Sequence, residues 1–143
     1  MNWKELVTHS HYQTAIRIQQ ELTQGHLEES QAGLEELIAA LGRAEKRALT
    51  SQLTRLMMHI IKWKIQPQRR SRSWVLTISS ARVEIAEILE YEPHLKPQVS
   101  LLWDKCFKTA ARFAQDETGL KPTLQKLSWQ EVFEDEYTLE EPV

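Results

Sequence analysis

Six side chains in one short stretch have the types and spacing to hold an anion: Lys62, Arg69, Arg70, Ser71, Arg72 and Ser73. Guanidinium forks take phosphate oxygens in pairs, and serine hydroxyls supply further donors. A helix that starts inside this stretch adds free amides and the positive end of its dipole. Lys64 raises the local density of charge. His59 stands one turn before Trp63 and close to the same cluster. As a general base beside Arg69 or Arg72 it would suit phosphodiester chemistry. The competing reading of His59 is a hydrogen-bonded structural histidine.

Other catalytic constellations are absent from the sequence. There is no glycine-rich phosphate loop and no dinucleotide fingerprint. The single cysteine, Cys106, rules out a cysteine-based zinc site and an intrachain disulfide. It falls on an apolar helical stripe, so a buried thiol is expected rather than a nucleophile. The five histidines make no His-x-x-x-His or Glu-x-x-His pair, which weakens a metal-bundle reading. Asp116 and Glu117 are neighbours in sequence, diverge on a helix, and make a poor carboxylate pair. No metal and no cofactor is expected.

Charge is segregated along the chain. Residues 43–82 hold ten Lys or Arg and one acid, Glu45, a net of +9. The remainder holds eight bases and nineteen acids, a net of -11, so the whole chain carries -2. The acids gather at Glu84, Glu87, Glu90 and Glu92, and again from Glu131 through Glu141. Three readings are open. The acidic faces neutralise the basic block, within the chain or between subunits. The corner at 62–72 binds an anion. Or Arg43, Lys46, Arg47, Arg55 and Lys62 track a nucleic-acid backbone, with Trp63 or Trp74 to stack.

These residues must be positioned by helices. Gly and Pro are scarce and fall at a few points, between which apolar residues recur at helical spacing. Helices are expected over about 3–24, 30–65, 71–91 and 97–118, with a short one near 129–136. Trp3, Val7, His11, Ala15, Ile18 and Leu22 share the first face. In the second, Leu34, Ile38, Leu41, Leu49, Leu53, Leu56, Ile60 and Trp63 keep one phase and read as a single core stripe. A straight helix over 31–65 would be ~52 Å long, more than the roughly 35–40 Å of a compact chain this size. Gly42 is therefore the expected place for a kink. Pro67 stops the second helix, and Ser71 or Ser73 caps the third. Pro97 opens the fourth and Gly119 ends it. Trp129, Val132 and Phe133 pin the tail.

The fold expected is all-α: one up-down, four-helix-bundle-like domain with the short C-terminal helix packed on it. No segment reaches the ~18 apolar residues of a membrane helix. The first residues lack the apolar run of a secretory signal, and one cysteine suits a reducing compartment, so a cytoplasmic setting is expected.

Several strings resemble a known family. Leu41-Gly42-Arg43-Ala44-Glu45-Lys46-Arg47 is followed by His59-Ile60-Ile61-Lys62-Trp63-Lys64-Ile65-Gln66-Pro67 and by Arg69-Arg70-Ser71-Arg72-Ser73-Trp74. Later come Ala114-Gln115-Asp116-Glu117-Thr118-Gly119 and Trp129-Gln130-Glu131-Val132-Phe133. Over nearly its whole length the chain is similar to the bacterial, chiefly cyanobacterial, family catalogued as domain of unknown function 29. The resemblance implies an all-helical protein and no established catalytic residue. Ala44 stands where relatives usually have Ser, which removes a cap for a helix restarting after Gly42 and favours a kink over a break.

The function expected from all this is a non-catalytic helical interaction module binding a protein partner or itself as a homo-oligomer. The alternative is a phosphate or nucleic-acid binder through residues 62–72. Nucleic acid is the less favoured partner, and no membrane partner is expected.

Overall fold

The computed structural model describes residues 1–139 and is all-α, with no strand among them. Glu140 and Glu141, the last acids of the expected tail cluster, lie outside the described residues. The helices are α1 (Trp3–His9), α2 (His11–Thr23), α3 (Leu27–Ile65), α4 (Arg72–Tyr91) and α5 (Lys96–Thr118). One π-helical turn, Gln130–Glu134, stands where a short α-helix was expected. The helices form two units, Met1–Arg47 and Ala48 onward, and α3 contributes to both.

In the first unit the expected helix over 3–24 is split at Ser10. Ser10 is extended, at φ −163° and ψ 121°. Its Oγ accepts from the Gln13 amide at 3.0 Å, and its carbonyl accepts from Thr14 Oγ1 at 2.7 Å. Ser-x-x-Gln is the start signal of a capping box, so the sequence carried the information. Asn2 caps α1 in the same manner, accepting from the Glu5 amide. Gly25, at φ 81°, makes the left-handed turn into α3.

The core of this unit is built on Gly33. A Cβ there would lie 2.8 Å from Ile18 Cγ1 and 2.8 Å from the Trp3 ring. The missing side chain lets both residues press against the α3 backbone. Trp3, Val7, Leu37 and Ala40 are buried on that face, and the Trp3 indole donates to Glu29 at 3.0 Å. At 100° per residue, Leu34, Ile38 and Leu41 are rotated off it. They are exposed, not part of the core stripe the sequence suggested.

The second unit has a larger core. Leu49, Leu53, Leu56, Met57, Ile60 and Ile61 of α3 meet Ile78, Ala81 and Ile85 of α4 and Val99, Cys106 and Ala110 of α5. Pro67 ends α3 as expected, and Gly119 closes α5 in the left-handed conformation. Val132 is fully buried, while Trp129 stacks on Trp103 with centroids 5.6 Å apart. Arg82 Nε donates to the Val132 carbonyl at 2.8 Å, so α4 holds this segment by its backbone. α3 continues through Gly42 as helix, with no break there.

Candidate functional site

The basic stretch spans the end of α3, a 3-10 turn over Pro67–Arg69, and the start of α4. Each cation in it meets a different fate. Lys62 is buried, and its Nζ donates to both carboxylate oxygens of Glu117, at 3.1 and 3.2 Å. The same ammonium stands 4.9 Å from the centre of the Trp74 ring. Lys64 Nζ pairs with Glu131 Oε2 at 2.7 Å. Arg70 lies over the Trp63 ring at 4.7 Å, and its Nε donates to the Trp63 carbonyl at 2.9 Å. That bond satisfies one of the orphan carbonyls in the last turn of α3.

Ser71 is the N-cap of α4, with its Oγ accepting from the Trp74 amide at 3.3 Å. Arg69, Arg72 and Ser73 are exposed, and neither arginine has an ion pair among the described residues. The stretch is therefore not one convergent constellation. Lys62, Lys64 and Arg70 tie helix ends and the C-terminal segment together. Lys64 and Arg70 are exposed as well but tethered, whereas Arg69, Arg72 and Ser73 are exposed with no side-chain tie among the described residues. Two of the neutralising acids, Glu117 and Glu131, are 55 and 67 residues from their partners, a distance at which sequence spacing carries no signal.

His59 is engaged by its own helix. Its Nδ1 donates to the Arg55 carbonyl at 2.9 Å. Burial pushes the ring below the ordinary imidazole value, with the charges of Lys62 and Arg55 acting the same way; the Arg55 bond and Glu117 oppose them. The neutral ring keeps a bare Nε2, but its one hydrogen bond is structural. Among the described residues the ring is oriented by that carbonyl alone, with no carboxylate hydrogen-bonded to it. Cys106 is fully buried, with Sγ 3.7 Å from the Thr50 carbonyl, and burial pushes its thiol pKa up. It is a core residue rather than a nucleophile.

Two surface features escaped the sequence reading. The first is an apolar stripe on α3: Leu27, Leu34, Ile38 and Leu41, at 66, 46, 61 and 42 % exposure. One border of the stripe is the face packed on α1 and α2; the other carries Glu28 and Glu35. Residues 27–41 hold four glutamates and no Lys or Arg. The second is a cleft in the first unit, with Arg43 and Arg47 at its rim. Gly33 was the available signal for the first: a small residue on a helix marks where a neighbour approaches, and so fixes which face is covered.

No helix among the described residues is long and apolar enough to cross a membrane. The family model described as "Domain of unknown function DUF29" matches residues 16–140. No curated protein and no solved structure matches the chain.

Proposed function

The chain belongs to the domain of unknown function DUF29 family, and we propose that it is a non-catalytic interaction module whose α3 seats an amphipathic helix of a partner protein. The observation that carries this reading is the exposed stripe Leu27, Leu34, Ile38 and Leu41. Isolated exposed leucines need no explanation, but four on one helical line are the pattern of a helix-docking face. The spacing from Leu34 to Ile38 to Leu41 is the alternation of four and three that a second helix packs against.

Charge narrows the occupant. Glu28 and Glu35 edge the stripe, and this half of α3 has no cation to offset them. A partner helix edged with Lys or Arg is matched to it, and an acid-edged helix is repelled. A cytoplasmic setting fits the lone buried thiol of Cys106. The anion-binding alternative at residues 62–72 has less support, because Lys62, Lys64 and Arg70 already have partners within the chain.

Sedimentation equilibrium tests the reading. The chain alone is expected to be monomeric. It should form a one-to-one complex with a helical peptide of about three heptads that has a Leu/Ile seam and Lys edges. Failure to form that complex overturns the reading. So does a dimer of the chain alone that Ile38→Glu dissolves, since a second copy would then be the occupant.

A further inference from the structure

On the other border of the packed face of α3, away from the apolar stripe, the first unit holds a cleft of about 230 Å³. It is lined by Val7 and Thr8 of α1, His11 of α2, and Ala40, Arg43, Ala44 and Arg47 of α3; Val7 and Ala40 are buried and both arginines are exposed. The helical spacing explains its shape. Positions 40 and 44 are one turn apart on α3, and two alanines there leave a hollow where longer side chains would fill it. Positions 43 and 47 are one turn apart on the adjoining line, so their guanidinium groups overhang the same hollow.

The electrostatics are one-sided. No carboxylate lines the cleft, and neither arginine has an ion pair among the described residues. Two fixed positive charges stand one turn apart along one side of a partly apolar depression, where attraction to an anion is stronger than on an open surface. His11 adds a ring nitrogen as a further donor. At roughly 30 Å³ per water, the space is about eight waters' worth, more than a bare phosphate ion fills. The alanine and valine floor suits a small apolar group attached to that ion.

We propose that the cleft between α1 and α3 binds a small phosphomonoester, its phosphoryl oxygens held by Arg43 and Arg47 with His11 and its organic group resting on Val7, Ala40 and Ala44. This site is separate from the helix-docking stripe and does not depend on it. It also differs from nucleic-acid tracking. It takes a terminal phosphoryl group in a local cleft, not a series of diesters along a surface.

Isothermal titration with inorganic phosphate, phenyl phosphate and a short single-stranded oligonucleotide tests it on the full chain. Saturable binding of phenyl phosphate is expected, tighter than that of inorganic phosphate because only the ester uses the apolar floor. Arg43→Gln and Arg47→Gln should each weaken it about tenfold, the scale of one hydrogen-bonded charge. Arg112→Gln, on α5, should leave it unchanged. Ala44→Leu keeps both arginines but fills the hollow, and should remove the advantage of the ester over inorganic phosphate. The proposal is overturned by any of three results: no saturable binding of either phosphate, affinities unaltered in both arginine variants, or binding confined to the oligonucleotide.

Discussion

Lys62 Nζ lies 3.1 and 3.2 Å from the two carboxylate oxygens of Glu117, and the pair is lopsided: the lysine side chain is 3 % exposed and the glutamate 54 %. The cation is committed to the interior, while its counter-ion sits at the surface. Removing the glutamate strands the charge, whereas removing the lysine leaves a carboxylate that water can solvate. Glu117→Gln should therefore cost about 1–3 kcal/mol, less than the roughly 3–5 for breaking a fully buried pair, because the Trp74 ring still faces the ammonium. Lys62→Met should cost less, and the double variant should lie within about 1 kcal/mol of the parent. Urea denaturation of the three variants reads this directly. Equal losses in both single variants would contradict the asymmetry.

The glycines of α3 should respond in opposite senses. Nothing lies within 4 Å of a Cβ added at Gly42, so Gly42→Ala should stabilise the chain by about 0.5–1 kcal/mol through helix propensity. At Gly33 the added atom meets Ile18 and Trp3 at 2.8 Å. Gly33→Ala should cost about 1–3 kcal/mol by overpacking, despite the same gain in propensity. Thermal or chemical unfolding of the pair decides it, and a stabilised Gly33→Ala would refute the packing described.

This pair also marks how far the sequence could be read. The apolar phase running from Leu34 to Trp63 correctly announced one long helix. Periodicity identifies an apolar face but not what covers it. Beyond Leu49 that face is core; before Leu41 it is exposed, because Gly33 draws α1 and α2 onto a different line. Pro67, Gly119 and the α5 stripe were legible since each acts through local backbone geometry or spacing. The break at Ser10 was also local and was missed because the apolar pattern ran across it. The basic stretch was legible as a cluster of charge, but not as three separate tethers. Its partners Glu117 and Glu131 and the stacked Trp63 ring are set by tertiary folding.

Tyr137 should titrate late. Burial pushes its phenol up to about 12, with Asp135 and Glu131 adding to the shift and Arg82 opposing it. Its hydroxyl donates to the Glu131 carbonyl at 2.6 Å, a bond that needs the proton. The folded-state value lies above the ordinary 10.0, so this contribution to stability is complete below pH 10 and is lost as pH rises toward 12. Phenolate absorbance of the three tyrosines should show a late phase near 12 that is missing in Tyr137→Phe. A parent titration with no late phase would contradict the buried hydroxyl.

Acid should act on the same segment through Glu131. The hydrogen bond from Lys64 holds its carboxyl below the usual 4.5, helped by the Ser128 amide and opposed by partial burial. A depressed value means the contribution is present above about 4.5 and disappears as pH falls through the folded-state value. The stability difference between the parent and Glu131→Gln should be positive at neutral pH and shrink toward zero in acid. Fluorescence of Trp129, stacked on Trp103, reports the segment during unfolding. A difference that grows in acid would reverse the sign expected.

The central claim is that the Leu27–Leu41 face of α3 receives a basic-edged helix. Fluorescence anisotropy tests it most directly, by titrating the chain against two labelled peptides with one Leu/Ile seam and either Lys or Glu edges. The Lys-edged peptide should bind saturably and the Glu-edged one at least about tenfold more weakly, and Ile38→Glu should weaken the former by about 2 kcal/mol, roughly thirtyfold. Equal binding of both peptides, or a Lys-edged complex indifferent to Ile38→Glu, would contradict it.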